Sequence, residues 1–209
     1  MKFDDRQQAG TRLAQALLAW RGQPDVIVLA LPRGGVPVAA EVAQALGAPL
    51  DVLVVRKLGY PGQEEFAMGA IASGGVRVMS DIEGAWPVSQ QVVEAAVRRE
   101  RAELLRREQA YRGARPPPLI KDRVVVLVDD GLATGATMRA AVQSVRAGQP
   151  ARIVVAVPVA SREAVEFVGS QADEVVCLQT PDPFHAVGLW YRDFDQTSDE
   201  EVLRLLART

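Results

Sequence analysis

Residues 124 to 140 read Val-Val-Val-Leu-Val-Asp-Asp-Gly-Leu-Ala-Thr-Gly-Ala-Thr-Met-Arg-Ala, and this stretch constrains the fold more tightly than any other. Five apolar residues, Val124 to Val128, mostly β-branched and bounded by polar stops, predict a strand of a parallel sheet buried on both faces. Two carboxylates, Asp129 and Asp130, follow at its carboxyl end. Small residues and hydroxyls come next: Gly131, Ala133, Thr134, Gly135, Ala136, Thr137. A helical pattern then continues through Met138, Ala141, Val142 and Val145. Open α/β sheets bind ligands at this kind of edge, where a strand passes through a tight loop into a helix.

The loop has its own chemistry. Gly131 and Gly135 lack a Cβ, so the backbone can approach a ligand closely or take positive φ. Unpaired N–H groups at the start of the following helix, together with its dipole, make an anion site suited to phosphate. Thr134 and Thr137 add hydroxyl donors. Asp129 and Asp130 would repel that phosphate, and suit sugar hydroxyls a few ångströms away. A phosphate beside a diol describes a ribose 5-phosphate.

Other segments repeat the strand–turn–helix plan. Asp4 or Asp5 caps a first helix predicted to run to about Trp20. Val26 to Ala30 is a buried strand ending in Leu31-Pro32-Arg33-Gly34-Gly35, with a helix from Val38 to Leu46 closed by Gly47. Arg33 beside two glycines offers charge and exposed amides to an anion, or is an ordinary βα turn. Leu50 to Val55 predicts a third strand with Arg56 and Lys57 at its carboxyl end. These two face an anion there or are simply solvated. Residues 58 to 66 read as a loop, and Ala67–Ala72 with Val76–Ser80 as a β-hairpin. Ser89 to Tyr111 is a long amphipathic helix with Val93, Val97, Leu104 and Tyr111 on one side, and Glu94–Arg98 and Glu103–Arg107 as i,i+4 pairs. Strands at Arg152–Val157 and Glu174–Leu178 flank a helix capped by Ser161. The alternation argues for one parallel α/β sheet.

Bulk properties exclude several classes. A net charge of −2 over 209 residues gives no electrostatic reason to expect nucleic acid. No segment approaches the ~18 apolar residues of a membrane span, and the first residues carry no apolar signal core. The single Cys177 rules out a disulfide framework, and a cytoplasmic setting is expected. No feature sets the oligomeric state, and a homodimer is compatible with the sequence. The tail, 181 to 194, holds four of the eleven aromatics and the only histidine, His185, which reads as structural. Phe184, Trp190 and Tyr191 either stack on a flat acceptor or pack the tail onto the core. Ser198 to Glu201 resembles a capping box before a last helix.

Val-Leu-Val-Asp-Asp-Gly-Leu-Ala-Thr-Gly-Ala-Thr resembles the phosphoribosyl pyrophosphate (PRPP) signature of type I phosphoribosyltransferases. It is neither a Walker A loop nor a Rossmann fingerprint, and Gly131 stands where that signature usually has a branched apolar residue. The resemblance implies a type I phosphoribosyltransferase-like α/β fold in a single domain over 1–209. Its core, about 24–180, would be a mainly parallel five-stranded sheet flanked by helices, with a flexible lid hairpin at about 56–80 and a C-terminal hood at about 181–209. It implies transfer of phosphoribose from Mg²⁺-bound PRPP to a nitrogen nucleophile, a nucleobase or related compound, with release of pyrophosphate. Asp129, Asp130, Gly131, Leu132, Ala133, Thr134, Gly135, Ala136 and Thr137 would bind ribose 5-phosphate. Arg33, Gly34, Gly35, Arg56 and Lys57 would bind pyrophosphate, in a loop that often carries a cis peptide in this family. Mg²⁺ would ride on PRPP and water, with no direct protein ligand. The 6-oxopurine enzymes of the family carry an Asp at the place of Ala133. The pattern here is closer to adenine enzymes, in which a lid glutamate serves. Glu65, Glu64 and Lys57 are then the candidate catalytic residues, unless the two glutamates are solvated loop charges. The alternative function is a regulator that senses PRPP without transferring it. The Arg-Gly-Gly and Arg-Lys segments favour an enzyme.

Overall fold

The computed structural model describes residues 2–60, 63–79 and 88–208. Its elements in order are α1 (Arg6–Ala16), β1 (Val26–Ala30), α2 (Gly35–Leu46), β2 (Leu50–Val52), β3 (Val55–Tyr60), β4 (Gln63–Ala72), β5 (Val76–Met79), α3 (Gln90–Arg112), β6 (Val124–Val128), α4 (Ala136–Ala147), β7 (Arg152–Val159), α5 (Arg162–Gly169), β8 (Glu174–Gln179) and α6 (Asp199–Leu206). Five strands form one sheet in the order β2-β1-β6-β7-β8, and every neighbouring pair is parallel.

Burial follows the period of two along a strand. Val26, Val28 and Ala30 of β1, with Val124, Val126 and Val128 of β6, face the layer that contains α1, α2, α3 and α6. Ile27, Leu29, Val125 and Leu127 face the layer of α4 and α5. Both faces are covered, so the central strands are apolar at every position. Side chains define the helix starts: Asp5 accepts from the Gln8 amide, Ser89 from Val92, Ser161 from Ala164 and Ser198 from Glu201. Gly47 closes α2 in the left-handed conformation, φ +66°. Glu103 bonds Arg107 as expected, whereas Glu94 pairs with Arg77 of β5.

Three expectations are corrected. α1 stops at Ala16, because the Leu17 amide reaches back three residues to Ala14 and a 3-10 turn, Leu18–Trp20, takes over. The segment Leu50–Val55 is not one strand. The Leu53 amide still bonds Ala30, but Val54 turns to Ser73 and the chain enters a second, antiparallel sheet in the order β3-β4-β5. Arg56 and Lys57 therefore lie inside β3, not at the carboxyl end of a core strand. Residues 58 to 66, expected as a loop, mostly continue β3 and β4, because Leu58, Met68 and Ile71 are buried against α3. The β4–β5 hairpin is present.

Candidate active site

β6 delivers Asp129 and Asp130 to the carboxyl edge of the sheet. The Asp130 amide donates to Asp129 Oδ1 at 2.8 Å. The turn after β1 is seated directly against them. A Cβ on Gly34 would lie 2.1 Å from Asp130 Oδ2, and one on Gly35 would lie 2.7 Å from the Val128 carbonyl and 3.1 Å from Asp129 Oδ1. The Arg-Gly-Gly turn thus needs two glycines so that the backbone can lie flat on the acids. The Pro32–Arg33 peptide bond in this turn is cis.

Burial raises the Asp129 carboxyl well above the usual carboxylate range, and the neighbouring Asp130 charge adds to the shift. Burial raises Asp130 as well, and Arg6 works against it. Arg6 Nε donates to Asp130 Oδ2 at 2.8 Å, reaching across from the first turn of α1. The Tyr191 hydroxyl donates to the Asp130 carbonyl at 2.6 Å, and burial pushes that phenol up.

Beyond the acids, Leu132 is buried and anchored. Its amide bonds the Val159 carbonyl at 3.0 Å, while its own carbonyl receives the Ser161 amide at 3.0 Å. Gly135 precedes α4 at φ +74°, in the left-handed region that suits glycine. Ala133, Thr134 and Thr137 are exposed around the helix start. The departure at Gly131 has a spatial cause: a Cβ there would stand 2.6 Å from Val187 Cγ1 and 2.9 Å from the Val159 carbonyl. Val187, in a 3-10 turn of the tail, fills the volume that a branched residue would take.

The remaining candidates separate. Arg33 lies 3.7 Å from Asp199 Oδ1, a loose pair between partly exposed groups, and Asp199 also accepts from the Tyr111 hydroxyl at 2.6 Å. Burial, then that bond, push Tyr111 up to about 12. Arg56 is bound twice by Glu100, at 3.0 and 2.7 Å. Burial opposes it, yet Arg56 and Arg99 hold Glu100 low. Lys57 is exposed on β3. The backbone of Glu64 and Glu65 runs in β4, and their side chains lie outside the described residues. Tyr191 is buried between Phe3, at 5.5 Å, and Phe194, at 5.0 Å between ring centroids. Phe184 and Trp190 pack partly buried beside it, and Trp190 Nε1 is buried without a hydrogen-bond partner. Spacing along the chain connects neither Arg6, Tyr191 nor Asp199 with the motif. Arg6 is one of 21 arginines, 124 positions away from its partner.

The phosphoribosyl transferase domain model matches residues 4–192. The chain belongs to the phosphoribosyl transferase family. Two Mycobacterium tuberculosis proteins, one from each of two strains and each provisionally named a phosphoribosyl transferase, are 50% identical over 207 residues. The match covers 99% of this chain and 46% of theirs, so the chain spans about half the length of the curated relatives it matches. The crystal structure of the Thermus thermophilus protein TT1426 is 48% identical, covers 100% of this chain and 99% of its own, and superposes with a TM-score of 0.89. The AQ2163 protein of Aquifex aeolicus, 12% identical with a TM-score of 0.53 over 96% of this chain and 86% of its own, shares the fold. The parallel five-stranded sheet flanked by helices is therefore the phosphoribosyl transferase fold, with the Asp129–Asp130 loop at its carboxyl edge.

Proposed function

We propose that this protein transfers the phosphoribosyl group of PRPP to a nitrogen nucleophile and releases pyrophosphate. One observation carries the reading: the Arg33-Gly34-Gly35 turn rests on Asp129 and Asp130, which would bring a diphosphate cradle and a pair of sugar-hydroxyl acceptors to one edge. The C1–O bond breaks with its electron pair leaving on pyrophosphate, the C1–N bond forms, and the nitrogen gives up a proton. Asp129 and Asp130 hold the ribose hydroxyls. The amides opening α4, with Thr134 and Thr137, hold the 5-phosphate. Arg33 and Lys57 neutralise the departing charge, since Arg56 is already committed to Glu100. The β3–β5 sheet serves as the lid that keeps water from the oxocarbenium-like centre.

Magnesium, arriving with PRPP, supplies further neutralisation of the diphosphate. The donors present suit contact through water: Asp130 is bonded to Arg6, and Asp129 to a backbone amide. Among the described residues no group of three or more His, Cys, Asp or Glu side chains is placed to hold a metal.

The acceptor reading is narrower. The methyl group of Ala133 cannot share a proton with a purine N7, so hypoxanthine and guanine are poor acceptors and adenine-like bases better ones. Glu65, with Glu64, manages the nitrogen's proton, and Phe184 and Trp190 line the acceptor's side.

Pyrophosphate release and thermal shift with Mg²⁺-PRPP test this. The wild type should gain melting temperature, as native-state binding requires, and the Asp129→Asn/Asp130→Ala variant should not. Glu65→Gln or Glu64→Gln should slow turnover roughly 10²-fold with PRPP affinity retained. A shift without pyrophosphate release from PRPP in the presence of any base would identify a PRPP sensor instead. An undiminished shift in the double variant would remove the ribose assignment.

A further inference from the structure

Arg6 is committed on three sides. Nε donates to Asp130 Oδ2 at 2.8 Å, and Nη1 donates to the Asp195 carbonyl at 2.7 Å. The guanidinium lies over the Phe194 ring, 3.9 Å from its centroid. The side chain is 12% exposed, which sets it apart from an ordinary surface ion pair. Each support is itself fixed. The Asp5 cap places the first turn of α1. A parallel bridge between Phe3 and Tyr191 pins the tail that carries Phe194 and Asp195. A planar fork can satisfy two bond directions and a stack at once, which an ammonium cannot.

The groups facing Asp130 come from four directions: Asp129 from its own loop, Gly34 from the turn after β1, the Tyr191 hydroxyl from the tail, and Arg6 from α1. Asp129 brings a like charge. Two adjacent carboxylates in a confined site share a proton unless a cation intervenes. A protonated carboxyl is a poorer acceptor for a sugar hydroxyl.

We infer that Arg6 is a positioning residue of the ribose site, holding Asp130 as an aimed anion beside Asp129 so that each acid accepts its own ribose hydroxyl. The inference rests on the ribose role proposed above for the two acids. Arg6 holds Oδ2, and Oδ1 is the oxygen this assigns to the sugar.

The test compares wild type, Arg6→Gln and Arg6→Lys by two readouts. The first needs no ligand: carboxyl ¹³C titration of the Asp129–Asp130 pair, with the D130N variant for assignment. In R6Q the midpoint should rise by about one pH unit, and in R6K it should lie between R6Q and wild type, because charge is kept but the aimed Nε bond is lost. The second is calorimetry of Mg²⁺-PRPP at pH 6.5 and pH 9. R6Q should bind about tenfold more weakly than wild type at pH 6.5 and approach it at pH 9. R6K, the milder change, keeps the titration readable if R6Q does not fold, and its midpoint must still exceed that of wild type. An unmoved midpoint overturns the inference. So does an R6Q binding loss equal at both pH values, which would mark a packing role alone. A wild type that does not bind PRPP removes the proposed function, and the ribose role of Arg6 with it, whatever the titration shows. A wild type that binds PRPP while the variants titrate unchanged removes the Arg6 inference alone.

Discussion

Asp129 stands where a charge is costly. It is partly buried, beside a second acid, and bonded to one backbone amide. An acid whose folded-state pKa is raised contributes its stability at low pH, and loses it as the pH rises through the folded value. Asp129 is raised by burial and by Asp130, so it weighs against the folded state at neutral and alkaline pH. Asn keeps an oxygen for the Asp130 amide and removes the charge. Asp129→Asn is therefore expected to raise the melting temperature at pH 8 by about 2–4 °C, what roughly 1 kcal/mol does in a chain of this size. The gain should fade as the pH falls through the raised titration. Melting curves from pH 4 to pH 9 check this, and a variant less stable than wild type at pH 8 would contradict it. Stability lost at a site that binds ligand is a familiar trade.

Among the elements, the motif loop and the 3-10 turn at Val187–Trp190 form one packed unit. Gly131→Ala should cost about 1–3 kcal/mol by forcing Val187 and the Val159 carbonyl apart. Val187→Ala alone should cost about 1 kcal/mol. The double variant should be less destabilised than the sum, by at least roughly 0.5 kcal/mol, because one clash is relieved while the carbonyl remains. Strict additivity in urea melts would mean that Val187 does not occupy this space.

The same unit shows where the sequence was legible. β1 and β6 were readable to the residue, since a run apolar at every position between polar stops fits a strand covered on both faces. The caps at Ser161 and Ser198 were readable because a side-chain acceptor three residues before its amide is a local pattern. The local pattern of acids and glycines at residues 129–135 and 33–35 was legible for the same reason, and the fold brings the two turns together. Local patterns do not mark where Leu50–Tyr60 changes sheets, because Leu53 and Val54 stay buried through the change and the apolar signal has no break. Nor do they reveal the partners of Asp130. Arg6 and Tyr191 look like an exposed helix arginine and a core aromatic until the fold brings them together.

Across the whole molecule, the N-terminal residues and the tail segment at residues 190–192 are joined. The Phe3 amide bonds the Trp190 carbonyl at 2.8 Å, and the Arg192 amide bonds the Phe3 carbonyl at 2.9 Å. Phe3 is 1% exposed, so Phe3→Ala should lower stability by about 3–5 kcal/mol. Leu46, equally buried at the far end of α2, is the control. Leu46→Ala should destabilise the protein by about 2–5 kcal/mol and keep the PRPP-induced melting shift. Phe3→Ala should lose most of that shift, because the strap holding Arg6 and Tyr191 loosens. Equal shifts in the two variants would separate the strap from the site.

The hydroxyl of Tyr191 also gives the site an order of assembly. A ribosome delivers Asp130 61 residues before it delivers Tyr191, and completes the loop early in that interval. A nascent chain halted in that interval already displays both acids and the helix start. It lacks the phenol that tethers the Asp130 carbonyl and the Phe194 ring that seats Arg6. Ligand capture during synthesis would thus begin only once the tail has emerged and folded back, and a prematurely terminated product would carry the signature without the means to aim it.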